Sequence, residues 1–244
     1  MPSTQILHTA LILLDIEGTT TPISFVTETL FPYARTHLPS YLAQHGGSVD
    51  CRAAIDALRR EYDADRRAGE SVPDWSPRAY LDWLMDRDRK SPALKELQGR
   101  VWEEGYRNGT LAGAVYEDVP GALSAWRDAG VAVGIYSSGS VRAQQWLFRR
   151  STAGDLTPFL SWHFDTGVGG KRDAASYARI AADVNLAAAA ILFVSDVAAE
   201  LDAARAAGMQ TALVVRPGNP PQPDTGHRVV QTLVEVGAFG GPPT

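Results

Sequence analysis

The chain has 244 residues, 45% of them apolar, which is enough for one or two domains with a sizeable core and excludes disorder as its main state. Its 23 basic and 28 acidic side chains leave a net charge of −5. That is no footprint for nucleic acid or anionic lipid, so a small molecule is the expected partner. No apolar run reaches the roughly 18–20 residues that cross a bilayer, and the N-terminus lacks a basic stretch followed by a long apolar one, so a cytoplasmic protein is expected. The single cysteine, Cys51, allows neither an internal disulfide nor a cysteine zinc cluster.

In chain order, Leu11–Leu14 is the first short, continuously apolar run and reads as a buried parallel strand. Residues 22–115 have no comparable run. They are rich in Ala, Arg, Asp and Glu, and Ala54, Leu58 and Tyr62, then Tyr80, Leu81 and Leu84, fall at helical spacing, so a helical insert is predicted there. Its 13 basic and 14 acidic residues give a net charge of −1, which argues against a basic clamp. Residues 131–136 form the next strand, followed by a helix over Val141–Arg149, a short apolar segment Trp162–Phe164, and a helix over 176–184. Residues 191–194 and 212–215 are two further strands. The Ala-rich stretch 196–210 between them is a helix that Gly208 closes, which makes a βαβ unit. The tail from Arg216 holds six of the 15 prolines, and only 228–236 is expected to be regular, as an edge strand or short helix. The predicted class is α/β: a Rossmann-like, doubly wound parallel sheet with an inserted α-helical domain.

In an open parallel sheet, ligands bind outside the carboxyl ends of the strands. Here those ends carry Asp15-Ile16-Glu17-Gly18-Thr19-Thr20, Ser137-Ser138-Gly139-Ser140 and Ser195-Asp196. Any one aspartate at a strand end is more often a turn former or helix cap. Together, Asp15, Glu17 and Asp196 bring carboxylates whose repulsion a hard divalent cation such as Mg²⁺ would resolve, and that ion would also neutralise a phosphate. Ser138 with the backbone N–H groups of Gly139 and Ser140 suggests an anion site at a helix start. Lys171, after Gly169-Gly170, supplies the remaining counter-charge.

Competing motifs fail on spacing. A P-loop needs Gly at 165 and Ser or Thr at 172, where Asp165 and Arg172 stand, and a nucleophile elbow needs glycines where Ile135 and Tyr136 stand. The histidines at 8, 37, 45, 163 and 227 show no metal-binding pair beside a glutamate and are expected at the surface or at caps.

The segments Asp15-Ile16-Glu17-Gly18-Thr19, Ser138, Lys171 and Ser195-Asp196 with Glu200 resemble the four motifs of the haloacid dehalogenase superfamily. More narrowly, residues 13–23, Leu30-Phe31-Pro32-Tyr33-Ala34, Tyr136-Ser137-Ser138-Gly139-Ser140-Val141, Trp102-Glu103-Glu104-Gly105-Tyr106, His163-Phe164-Asp165-Thr166 and Val214-Val215-Arg216-Pro217-Gly218-Asn219 resemble the enolase-phosphatase family of methionine salvage. That resemblance implies a core of residues 1–21 and 116–244 with residues 22–115 as a helical cap. It also implies a substrate, 2,3-diketo-5-methylthiopentyl-1-phosphate, that is enolised and then dephosphorylated with one Mg²⁺.

The resemblance assigns roles residue by residue. Asp15 is the nucleophile that takes the phosphoryl group, and Glu17 is the acid and base, a role for which a carboxyl needs a pKa raised to on the order of 6–7. Asp15, Glu17 and Asp196 are the metal residues, the contacting oxygen of Glu17 being open, and Glu200 acts on the metal through a water. Ser137, Ser138 and Lys171 bind substrate, and Lys171 also touches the nucleophile. The enolising base stays open among Glu28, His37 and Tyr106, each with a structural reading beside it. Trp75, Trp83 and Trp102 are candidates for an apolar wall against the methylthio tail. Two other readings stand beside this one: a superfamily phosphatase for a different small phosphate ester, and a phosphate-metabolite binding module without catalysis. A monomer is expected.

Overall fold

The structure is a computed structural model and describes residues 9–89, 91–223 and 226–238. His8 and the outer ends of the expected core segments lie outside the described residues. In chain order the elements are β1 (Leu11–Leu14), α1 (Phe31–His45), α2 (Val49–Arg67), α3 (Pro77–Asp86), α4 (Pro92–Asn108), α5 (Val119–Asp128), β2 (Ala132–Tyr136), α6 (Val141–Arg149), β3 (Trp162–Phe164), α7 (Ala174–Asp183), β4 (Ile191–Ser195), α8 (Ala198–Ala206), β5 (Gln210–Val214) and β6 (Arg228–Val230). The chain folds as two compact units. One combines the chain up to Val26 with the chain from Ala112, and the other is Thr27–Leu111.

The first unit is built on a six-stranded, all-parallel sheet in the order β3-β2-β1-β4-β5-β6. The central strand β1 is fully buried, with Leu11 opposite both Ala132 and Ile191. A strand covered on both faces needs apolar residues at every position, which is why β1 and β4 read as unbroken runs. On one face Leu11, Leu13, Phe193 and Leu213 pack with Tyr177 and Ile180 of α7 and Leu201 and Ala204 of α8. α5 packs on β2 and on the 3₁₀ turn Leu233–Ala238. The sequence pattern did not suggest α5, which starts at Val119-Pro120 and buries Val119, Leu123 and Trp126. The tail forms both an edge strand, β6, and that 3₁₀ turn.

The second unit is four helices, α1–α4. Ser48, Ser76 and Ser91 each accept a hydrogen bond from the third residue of the helix they precede, and a proline starts α3 and α4. Leu58, Tyr80, Leu81, Leu84, Leu97 and Val101 meet in its core. Glu61 of α2 binds the Ser91 hydroxyl and the Ala93 N–H, which ties α2 to the start of α4.

The two units part at 26/27 and 111/112, whereas the expected breaks were near 22 and 115. At the second break the reason is local: Gly113 donates to Arg150 O at 2.7 Å and accepts from Thr152 N at 2.8 Å, which binds this segment to the sheet-bearing unit. A Cβ at Gly113 would lie 2.2 Å from Leu147 O, so only glycine permits that approach.

Candidate active site

The order of the strands reverses around β1 and β4: β2 and β3 lie to one side, β5 and β6 to the other. That is the switch point at which an α/β sheet opens a crevice at its carboxyl edge. Asp15 follows β1 and Asp196 follows β4, and both are buried. The Asp15 N–H donates to Val194 O at 3.0 Å, which stitches the two strand ends together. Beyond Asp15 the chain turns sharply. The N–H groups of Thr19, Thr20 and Thr21 all point to Ile16 O, Gly18 N–H returns to Thr21 O, and Thr20 Oγ1 binds Asp15 O. Glu17, partly exposed, sits in this turn and pairs with Thr21 as an isolated bridge.

Lys171 enters from the loop before α7, and three hydroxyls hold that loop by consecutive carbonyls. Tyr136 donates to Gly169 O, Ser176 to Gly170 O and Tyr177 to Lys171 O. The Lys171 ammonium lies 2.6 Å from Asp15 Oδ1 and 2.6 Å from Glu200 Oε2, with all three side chains largely buried. Burial alone would lower its pKa, but the charges and hydrogen bonds of Asp15 and Glu200 outweigh burial and hold it above the ordinary lysine value. The direct pairing of Glu200 with Lys171 is not one that the sequence suggested. Glu200 also accepts from Ser195 Oγ at 3.1 Å, and its pKa is raised, first by burial and then by the Asp15 charge. Asp196 is pushed up to about 7, first by burial and then by the charges of Asp15 and Glu200, against a lowering pull from Lys171.

The loop after β2 carries Ser137, buried, and Ser138, exposed. The expected set of anion-binding N–H groups is partly engaged. Gly139 N–H is taken by Ser137 Oγ, Val141 N–H by Asp165 Oδ2 and Ala143 N–H by Ser140 Oγ. The first of these leaves the Ser137 hydroxyl proton available to donate. Gln144 supports the loop from beneath, donating to Gly139 O and Phe164 O at 2.8 Å each, and its Oε1 lies 3.2 Å from His163 Nδ1.

Other expected residues fall elsewhere. His227 is buried rather than at the surface, because Thr211 on β5 and Asp202 on α8 take its two ring nitrogens. In the helical unit Trp83 is buried, with its indole N–H on Ser71 O. Trp75 packs on Tyr62 and Arg59, and Trp102 donates to Leu30 O. Glu28 is exposed. His37 stacks on Tyr33, and its Nδ1 lies 2.8 Å from Tyr33 O. Tyr106 is buried with no hydrogen-bond partner for its hydroxyl, and burial holds that phenol far above the usual range.

The model for haloacid dehalogenase-like hydrolases matches residues 9–208. A protein named "Enolase-phosphatase E1" from Synechococcus elongatus is 51% identical over 214 residues, covering 85% of this chain and 89% of that one. A protein of the same name from Pseudomonas aeruginosa is 46% identical, covering 92% and 96%. Among solved structures, the Unknown transcript 4 protein of Saccharomyces cerevisiae superposes with a TM-score of 0.74 at 36% identity, over 92% of this chain and 98% of that one. CbbY from Rhodobacter sphaeroides in complex with phosphate, with a TM-score of 0.59 and 16% identity over 94% and 96% of the chains, shares the fold alone. With these matches spanning the sheet, the strand-end carboxylates and the lysine loop together, the chain belongs to the enolase-phosphatase family of the haloacid dehalogenase-like hydrolases.

Proposed function

We propose that this protein is a Mg²⁺-dependent, bifunctional enolase-phosphatase of methionine salvage. It converts 2,3-diketo-5-methylthiopentyl-1-phosphate into the acireductone 1,2-dihydroxy-3-keto-5-methylthiopentene and inorganic phosphate. The observation that carries the reading is the charge balance at the switch point, where one ammonium, Lys171, binds Asp15 and Glu200 directly and acts on the buried Asp196 only as a nearby charge. Asp196, pushed up to about 7 first by burial and then by the Asp15 and Glu200 charges, is a carboxyl that a further cation would ionise.

The donor set fits a Mg²⁺ ion. Among the described residues no three carboxylate, imidazole or thiol groups converge as a cage of their own. Mg²⁺ keeps several waters and takes one or two carboxylates beside substrate oxygens, which suits Asp15 and Asp196 with an oxygen of Glu17. When bound, it would neutralise phosphate charge and polarise the reacting oxygens.

Within that frame, the Asp15 carboxylate oxygen not held by Lys171 attacks phosphorus and takes the phosphoryl group as an aspartyl phosphate. Lys171 screens the approach of the two anions. Glu17 gives a proton to the leaving enol oxygen and then takes one from the attacking water. Ser137, Ser138 and Lys171 hold the phosphate. Residues 22–115 serve as the helical cap domain and supply the base for enolisation. Of the three candidates for that role, His37 has Nδ1 on the Tyr33 carbonyl, which puts the proton there and makes Nε2 the acceptor nitrogen of the neutral ring. The raised, buried phenol of Tyr106 suits it least. A monomer in the cytoplasm completes the reading. It is supported by the near-neutral helical unit and by a lone, buried Cys51, and among the described residues no helix is long and apolar enough to cross a membrane.

The test follows the diketo phosphate at about pH 7 by ultraviolet absorbance while phosphate release is assayed, first with Mg²⁺ and then with chelator. An absorbing enol that appears with phosphate, and only with metal, is expected. Phosphate release from generic esters with no action on the diketone would leave the phosphatase and remove the enolase.

A further inference from the structure

The segment Val214–Asn219 takes no part in the chemistry above, yet it meets the nucleophile loop at two consecutive peptide groups. Arg216-Pro217-Gly218-Asn219 is a tight turn. Asn219 N–H returns to Arg216 O at 3.1 Å, and Gly218 has φ +88°, the pattern of proline then glycine that favours a type II turn. The turn presents its two end residues to one target. Asn219 Nδ2 donates to Gly18 O at 2.9 Å, and Arg216 donates to Thr19 O through Nε at 3.2 Å and Nη2 at 3.1 Å.

Arg216 is itself anchored. Its side chain is 4% exposed, it pairs with Asp118 at 2.9 Å, donates to Gln231 O, and lies 4.3 Å over the Tyr116 ring. Asp118 in turn accepts from Leu233 N–H, and Tyr116 N–H binds Thr20 O. Three carbonyls in succession, those of Gly18, Thr19 and Thr20, are thus held from outside the turn. Gly18 is also the point on which Asp196 rests: a Cβ there would lie 2.2 Å from Asp196 Oδ2 and 3.2 Å from Asn219 Nδ2. Three residues beyond the turn, Gln222 reaches the start of α8, where its Oε1 accepts from Ala198 N–H.

We propose that Arg216 and Asn219 are positioning residues which clamp the Gly18 and Thr19 carbonyls, and so fix the turn bearing Glu17 against Asp15 and Asp196. This rests on the reading of Asp15, Glu17 and Asp196 as the reacting and metal-holding set. Neither clamp residue needs to touch substrate. Their loss loosens metal binding and the acid–base step while the binding of the phosphate, through Ser137, Ser138 and Lys171, is left in place.

The test compares wild type with Asn219→Ala, with Asn219→Asp, which keeps the shape but cannot donate to Gly18 O, and with Arg216→Lys, which keeps a charge for Asp118 but loses the fork on Thr19 O. Mg²⁺ binding is measured by titration calorimetry, and kcat and KM are measured on p-nitrophenyl phosphate and on the diketo phosphate in parallel. Hydrogen exchange is followed at the amides of Gly18 to Thr21, and melting temperatures are recorded for all four proteins. Mg²⁺ affinity is expected to fall about fivefold and kcat about tenfold, with KM within about twofold and with faster exchange at the four amides, in both Asn219 variants alike. The proposal is overturned if folded Asn219 variants keep wild-type Mg²⁺ affinity and kcat, if KM alone rises, or if the losses vanish well below the melting temperature. Wild type failing on the diketo phosphate but turning over p-nitrophenyl phosphate removes the assigned substrate and leaves the clamp to be judged on the calorimetry and the generic ester.

Discussion

Glu200 Oε2 stands 2.6 Å from the Lys171 ammonium, as close as Asp15 Oδ1 on its other side. The lysine therefore reaches Asp15, the nucleophile in the proposed function, with its position set by a second carboxylate. Replacing Glu200 by Gln removes a charge-assisted contact worth about 1.5–3 kcal/mol and leaves Lys171 with Asp15 as its one charged partner of the two. A fall in kcat of about 10- to 100-fold is expected, with a smaller change in KM. Single-turnover kinetics at fixed Mg²⁺ checks it, and unchanged phosphoryl transfer would remove Glu200 from the lysine's support.

Burial and then the Asp15 and Glu200 charges push the Asp196 carboxyl up to about 7 from an ordinary 3.8, so between those values the folded state binds the extra proton. By linkage this group lowers stability as pH rises from about 4 to about 7, by about 4 kcal/mol at most. Asp196→Asn should therefore raise the melting temperature of the metal-free enzyme at pH 8 while abolishing Mg²⁺ binding. Thermal scans with chelator at pH 5 and pH 8 decide the matter: the gain should be present at pH 8 and small at pH 5.

The same carboxyl must lose its proton to bind a cation. Mg²⁺ affinity should weaken about tenfold per pH unit below 7 and level off above it. Calorimetry in two buffers of different ionisation enthalpy should show proton release on binding that grows as pH falls from 8 to 6.

Gly18 has φ +72° and lies directly under the Asp196 carboxylate. Gly18→Ala imposes a left-handed strain of about 1–2 kcal/mol and a clash that moves Asp196. A loss of more than about 100-fold in kcat/KM is expected with only a modest drop in melting temperature. Activity within about threefold of wild type would show that Asp196 can move without cost.

Gln144 is 1% exposed and supplies donors to Gly139 O and Phe164 O. Gln144→Leu keeps the volume and removes both donors; Phe164 O keeps the Ser137 N–H, so the loss falls mainly on Gly139 O and costs about 1–3 kcal/mol. KM for the phosphate ester should rise about five- to tenfold as the Ser137-Ser138 loop loosens, with kcat changed less. Inhibition by inorganic phosphate should weaken in parallel.

The sheet was legible where burial on both faces forces continuous apolar sequence. Leu11–Leu14 and Trp162–Phe164 match the expected runs at both ends, and β2 and β4 do so within one residue. β5 begins two residues before its expected run and ends one before it. Its first residues, Gln210 and Thr211, are polar and half-buried, bonded to Ala189 O and to His227, and a hydropathy pattern cannot see such long-range partners. The same limit hid the pairing of Lys171 with Glu200, the burial of His227 and the reach of Arg216 to Thr19, a contact 197 residues apart in sequence. Asp15 and Asp196 were legible because strand ends in a parallel sheet share one edge. The engaged state of Gly139 N–H was not, since it depends on a turn that the sequence Ser137-Ser138-Gly139 permits in more than one form.

The central strand has its two neighbours far away in the chain, β2 starting at Ala132 and β4 at Ile191, with the whole helical unit made in between. During synthesis, at about 5–20 residues per second, Leu-Ile-Leu-Leu waits unpaired for about 6–25 seconds until β2 is made, and longer for β4. In that interval α1–α4 bury a core of their own, while the future centre of the sheet is an exposed apolar segment. Assembly of this enzyme is therefore gated by its last strands, and chaperone dependence should track the delay before β4 emerges.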